Sequence, residues 1–169
     1  MKRIIYMAIT LNGYISRPNG DVDYFSPAVW GNYYPLVKNR TMIVGRKTYD
    51  AMAECDEFSR TRSKAVIVLT KNKRFKPALT EHWVARSARS AMAIARKTKS
   101  PEVFIAGGSK ANTAFLKDKL VDELILDIEP VMIGRGKPFL TDATFDRKFR
   151  LSKVTFLNKN FIRLRYACR

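Results

Sequence analysis

Three short stretches set glycine, hydroxyl and cationic side chains directly behind apolar runs: Gly45-Arg46-Lys47-Thr48, Thr70-Lys71-Asn72-Lys73 and Gly107-Gly108-Ser109-Lys110. The third is the most informative. A strand-like run (Val103, Phe104, Ile105, Ala106) leads into the glycine pair, a helical stretch follows, and a second strand over residues 123–129 ends at Pro130 and Gly134-Arg135-Gly136. Strand, glycines and helix in that order make an anion cradle. Glycine lets the main chain approach a phosphate closely, and the first free N–H groups of the helix point at it. In open α/β sheets ligands settle at the carboxyl ends of strands, so three such loops could line one groove, and a dinucleotide would fill it. No GxGxxG follows the first strand and no P-loop lysine pattern occurs, which argues against a standard Rossmann domain and a P-loop NTPase.

Other chemistries find little support. The chain has a single histidine, His82, best read as a packing or surface residue, and two isolated cysteines, Cys55 and Cys168. That inventory argues against a zinc site, a disulfide scaffold or a histidine-based triad, and no metal is expected. Carboxylates, hydroxyls, backbone groups or a cofactor must carry any reaction. The charge is extreme, 32 Lys plus Arg against 15 Asp plus Glu for a formal +17, and such a field attracts polyanions. The cations are spread along the whole chain with no long run, so a solvated basic surface that steers anionic ligands is the first reading and a nucleic-acid partner the competing one. The apolar start at residues 4–9 is too short for a membrane span or signal peptide, and the protein is expected to be soluble and cytoplasmic.

The elements that must position these loops follow from pattern. Residues 2–10 read as a buried central strand, residues 14–16 as a brief continuation, and Pro18-Asn19-Gly20-Asp21 as a loop. Ser26 and Pro27 open a helix that carries Trp30, Tyr33, Tyr34 and Leu36, with Pro35 a blemish. Strands follow at 41–44, 65–69 and, less regularly, 82–85; helices at Tyr49–Met52, 87–98 and 112–119. Residues 151–157 and 161–167 flank Asn158-Lys159-Asn160 as a β-hairpin. Helix and strand alternate until the strands at the end. This predicts an α/β fold in one domain over residues 1–169, a mostly parallel central sheet flanked by helices with an antiparallel C-terminal hairpin.

The motifs in their order resemble the dihydrofolate reductase superfamily, in the branch that holds the reductase domain of riboflavin biosynthesis. The resemblance runs from Ile4 to about Tyr166 and rests on Met7-Ala8-Ile9-Thr10-Leu11-Asn12-Gly13-Tyr14-Ile15, Val44-Gly45-Arg46-Lys47-Thr48-Tyr49, Ala106-Gly107-Gly108-Ser109, and Leu120-Val121-Asp122-Glu123-Leu124 through Pro130-Val131-Met132-Ile133-Gly134-Arg135-Gly136. It implies a dihydrofolate-reductase-like fold and an NADPH-dependent reductase. By the resemblance, main-chain groups of Ala8 and Ile15 grip the nicotinamide carboxamide. The loops Gly45, Arg46, Lys47, Thr48 and Gly107, Gly108, Ser109, Lys110 hold the pyrophosphate. Arg46 and Lys47, with Thr70 and Lys71 behind Leu69, take the adenosine 2′-phosphate. Charge chemistry agrees: Arg forks and Lys point charges suit a phosphate monoester, whereas a free ribose 2′-hydroxyl calls for an acid.

On the substrate side, dihydrofolate reductases place a carboxylate near the start of the first helix, and the matching position here falls near Val29. Among the acids that could substitute, Asp127 is a charge within an apolar strand, sharing one face with Ile125 and Glu129 by the two-residue period. The family faces that position to the pterin pocket, where a buried carboxylate would pair with an N–C–N–H edge and desolvation would raise its pKa toward proton donation. Asp127 is therefore the expected catalytic residue, the alternative being a solvated structural Asp. Asp23, Tyr24 and Tyr33 are the expected substrate contacts. The leading reading is reduction of a C=N bond in a pterin or related heterocycle, dihydrofolate first; the second keeps the class and takes the ribosylamino-pyrimidine phosphate of riboflavin biosynthesis. A basic nucleic-acid-binding protein on the same fold is the third. The branch also implies a homodimer.

Overall fold

The computed structural model describes residues 1–168. Its centre is an eight-stranded sheet in the order β5-β4-β3-β6-β1-β7-β10-β9. The strands are β1 (Lys2–Thr10), β3 (Thr41–Gly45), β4 (Ala65–Leu69), β5 (Trp83–Ala85), β6 (Glu102–Ile105), β7 (Glu123–Glu129), β9 (Phe149–Phe156) and β10 (Ile162–Cys168); β2 (Tyr14–Ser16) pairs with β8 (Lys137–Pro138) in a separate ladder. The pairs from β5 through β7 are parallel, and β10 is antiparallel to both β7 and β9. The α/β class and the C-terminal hairpin are as the alternation of the sequence predicts.

The central strands are apolar on both faces because both are covered, as parallel sheets require. On one face Ile4, Tyr6, Met42, Val44, Val66, Val68, Phe104 and Ile125 meet the helices α1 (Pro27–Val37), α2 (Arg46–Glu54) and α3 (Glu57–Thr61). On the other, Ile5, Ile43, Ile67, Ile105 and Leu124 meet α4 (Ala88–Lys97) and α5 (Ser109–Lys117). The amphipathy of α4 is direct: Ala88, Ala91, Met92 and Ala95 are buried at helical spacing, and Ser87 with Ser90 closes a capping box at its start.

Two elements were not expected. Helix α3 is one short turn bounded by left-handed Asp56 and Arg62 (φ 51° and 44°), too brief for a helical period. Strand β8 has only two residues, and it is fastened to α5: Asn112 donates to the Phe139 carbonyl (3.1 Å), the Thr141 N–H donates to the Thr113 hydroxyl (2.9 Å), and the Ser109 hydroxyl donates to the Pro138 carbonyl. Gly136 is required at this crossing, since a Cβ there would lie 2.5 Å from the Ser16 carbonyl oxygen. Thus the loop that carries Ile15 is tied, through β8, to the helix that follows the glycine pair.

Candidate functional site

Because β4, β3, β6, β1 and β7 are parallel, the turns that follow them emerge at one edge of the sheet. The Gly45 N–H donates to the Gly107 carbonyl (2.6 Å), joining the turn after β3 to the turn after β6. A Cβ on Gly45 would lie 3.5 Å from the Gly107 oxygen and one on Gly108 would lie 3.2 Å from the Thr48 hydroxyl and 3.8 Å from Ile15. Gly107 holds φ +78° with Met7 against it. Gly45 and Gly108, which border this seam between the two turns, are the N-cap residues of α2 and α5, so neither helix start carries a side-chain cap. Helix starts of this kind favour an anionic group.

The third loop lies beside them. Thr70 is nearly buried; its N–H donates to the Ala85 carbonyl (3.0 Å) and its hydroxyl accepts from the Asn72 N–H (3.1 Å). Lys47, Lys71 and Lys110 are exposed, Leu69 and Arg46 half-buried, and Arg46 is held by Asp50 one turn on (2.7 Å). Sequence reading missed Arg86. Its guanidinium donates to the carbonyls of Thr70 (3.3 Å), Asn72 (2.6 Å) and Lys73 (3.4 Å), so it shapes this loop from the neighbouring strand end. A basic residue just after β5 was the available signal. Ser109 is present at the seam, but its hydroxyl is spent on Pro138.

The substrate side differs from expectation. Asp127 is fully buried, and both its oxygens are bonded: Arg163 donates through Nε to one (2.7 Å) and through Nη2 to the other (2.7 Å), and the Tyr6 hydroxyl donates to the latter (2.8 Å). Arg163 also donates to the Asn32 carbonyl (3.2 Å). Burial works against the Arg163 charge, yet the bond and charge of Asp127 hold its pKa above the ordinary value. Burial, followed by the Asp127 charge, holds the Tyr6 hydroxyl well above its own. A carboxylate with this pairing is a fixed counter-ion, so the structure gives Asp127 no open edge for a ligand. Tyr33, also expected to touch substrate, is turned into the core. It is buried against Tyr6, ring centroids 5.2 Å apart, with its hydroxyl on the Met42 sulfur.

At the start of α1, Val29, near which the resemblance would call for a carboxylate, is buried with Ala8 and Phe161. Asp23 is exposed and paired with Arg17 (2.6 Å), whose hydrogen bond lowers the Asp23 pKa. Tyr24 lies under the same guanidinium, and burial pushes its phenol up to about 12; its hydroxyl is buried with no partner among the described residues.

One acid does have room. Glu129, at the carboxyl end of β7, is buried and, among the described residues, its carboxylate receives only two long bonds, from the Ser26 N–H and the Ser26 hydroxyl (3.2 Å each). It borders a cavity of about 500 Å³ lined by Ser26, Glu129, Pro130 and the hairpin residues 158–161.

The RibD C-terminal domain matches residues 2–162. The chain belongs to this family. Uncharacterized protein YwjB of Bacillus subtilis (strain 168) is 26% identical over 156 residues, covering 89% of this chain and 88% of that protein. A Shewanella sp. PV-4 protein assigned to riboflavin biosynthesis superposes with a TM-score of 0.81 at 22% identity, covering 100% of this chain and 99% of its own. Dihydrofolate reductase from Enterococcus faecalis, complexed with NADP(H) and RAB-propyl, superposes with a TM-score of 0.75 at 18% identity, covering 99% and 96%. The branch expected from the sequence, the RibD C-terminal domain, is thereby shown, and the two superpositions show a dihydrofolate-reductase-like fold.

Proposed function

We propose that this RibD C-terminal domain is an NADPH-dependent reductase acting on a C=N bond of a nitrogen heterocycle. The observation that carries it is the seam where the Gly45 and Gly107 turns bond directly, with two helix starts free of side-chain caps and the Thr70 loop alongside. Bound there, NADPH would supply the hydride. The backbone of Ala8 and Ile15 orients the nicotinamide, the Gly45–Thr48 and Gly107–Lys110 turns hold the pyrophosphate, and Lys47, Lys71 and Arg46 meet the 2′-phosphate. Glycine at 45 and 108 fits this role, because a Cβ at either would stand in the seam.

Of the two substrates expected from sequence, the ribosylamino-pyrimidine phosphate fits at least as well as dihydrofolate. Val29 replaces the helix carboxylate that holds a pterin, and Asp127 is engaged by Arg163. NADPH oxidation followed at about 340 nm, the reduced nicotinamide band, with each compound offered separately, tests the assignment. Turnover with either supports the reductase, and the ratio ranks the substrates. Absence of saturable NADPH binding would end the reading. The nucleic-acid alternative predicts instead an affinity for DNA that collapses between low and moderate salt.

The same reading places the protein in the cytoplasm. Among the described residues no helix is long and apolar enough to cross a membrane. It also includes a homodimer: the outer strand β9 exposes Leu151, Val154 and Phe156, the last 75% accessible, which a second copy would cover.

A further inference from the structure

We infer that a cleft at the amino ends of the strands, between α3 and the start of β5, binds a free amino acid with an aromatic side chain. It shares no lining residue with the glycine seam, so the inference stands apart from the reductase reading. The cleft exists because β5 is short. That strand pairs only with Ile67 to Leu69, and Ala65 and Val66 run on past its start with their edge of β4 uncovered. Residues of α3, and of the turn closed by the His82 N–H on the Leu79 carbonyl (3.1 Å), complete the lining around a volume of about 560 Å³.

Three kinds of group meet there. Phe58 is half-buried, and Leu79 and Trp83 are each 40% exposed, so an apolar body finds free ring and aliphatic surface. His82 adds a directed donor. Tyr49 is buried; its hydroxyl accepts from the Leu79 N–H (3.3 Å) and lies 2.9 Å from His82 Nδ1, and among the described residues its own proton has no other acceptor. The hydroxyl therefore donates to Nδ1, which puts the imidazole proton on Nε2, away from Tyr49. Burial lowers the His82 pKa, against the Glu81 charge, and keeps this neutral form at neutral pH. The third kind is charge: Lys64, Asp56 and Glu81 line the cleft at exposed positions, and among the described residues none of them stands in an ion pair. A carboxylate alone would meet Lys64 and the His82 Nε2–H but oppose Asp56 and Glu81, while an amine alone would meet the acids and oppose Lys64. A zwitterion answers both. Its ring would lie on Phe58, Leu79 and Trp83, and its zero net charge frees it from the pull of the +17 surface.

The probe is L-phenylalanine, titrated calorimetrically into the full chain without cofactor. Phenethylamine and hydrocinnamate, which keep the ring and one charge each, are titrated beside it. Phenylalanine should bind saturably, and each single-charge compound about fivefold more weakly, the worth of an exposed ion pair. Glu81→Gln and Lys64→Gln both alter exposed positions that no fold contact depends on, and each should weaken phenylalanine by about the same factor. Their effects should cross: Glu81→Gln spares hydrocinnamate, and Lys64→Gln spares phenethylamine. No saturable binding of phenylalanine, equal binding of the three compounds, or an affinity indifferent to both substitutions overturns the inference.

Discussion

The glycine seam and the Asp127 cluster lie a few residues apart along the same sheet but are built from different material. The seam is made of main chain: Gly45 donating to Gly107, two uncapped helix starts and the Thr70 turn. The cluster is made of side chains from three strands, Tyr6 on β1, Asp127 on β7 and Arg163 on β10. A main-chain site advertises itself locally, because glycine at a strand end is both its cause and its signature. A side-chain site depends on which distant strand delivers the partner, and a lone acid in an apolar strand says nothing of whether an arginine waits across the ladder.

The contrast can be broken most forcefully at Asp127. Asp127→Asn would leave Arg163 buried without its counter-charge, so unfolding stability should drop by about 3–5 kcal/mol, seen as a lower urea midpoint. Replacing both partners by apolar residues should recover much of that loss. A variant that instead kept its midpoint and lost only turnover would return Asp127 to the reacting centre. A smaller effect is expected at the seam's third loop. Arg86→Ala frees the carbonyls of Thr70, Asn72 and Lys73, and a loss of about 1 kcal/mol corresponds to roughly fivefold weaker NADPH binding. Binding of NADH, which lacks the 2′-phosphate, should hardly change; equal losses for both would show that Arg86 does not act through that phosphate.

The smallest effect lies far from the site. The hydrogen bond from Arg3 holds the Asp122 carboxyl below its ordinary pKa, so this pair stabilises the fold above the unfolded carboxylate range and loses its effect as pH falls through the lowered value. Asp122→Asn should cost about 1 kcal/mol or less at neutral pH, both groups being partly exposed. The deficit should vanish in acid. Urea midpoints of both proteins measured from neutral to acidic pH check the sign.

Much of the fold was legible. The strands at 2–10, 41–44 and 65–69 are apolar runs bounded by turn residues, Ser26-Pro27 does begin α1, and Asn158-Lys159-Asn160 does turn the hairpin. Ser26, however, does not cap its helix by its side chain; the hydroxyl goes to Glu129, a contact across 103 residues that no local pattern encodes. The convergence of the three loops was also legible, since parallel strands leave their carboxyl ends together. What escaped was pairing at a distance. Arg163 for Asp127, Arg86 for the Thr70 loop and the burial of Tyr33 on Tyr6 all depend on register between strands, or on a helix settling over the sheet. Tyr33 read as a ring free to stack on a ligand because aromatic spacing on a helix looks alike whether it faces a core or a cleft.

The stapling of residues 138–141 onto α5 has a mechanical corollary. With β2 laced to β8, and β8 riveted to the helix behind the glycine pair, the base of the long loop after β1 cannot swing away without tearing that lacing. Its apex past Ser16 lies outside that lacing and is cross-braced instead by Arg17 and Asp23. Ile15, inside the ladder, is thereby fixed against the glycine pair.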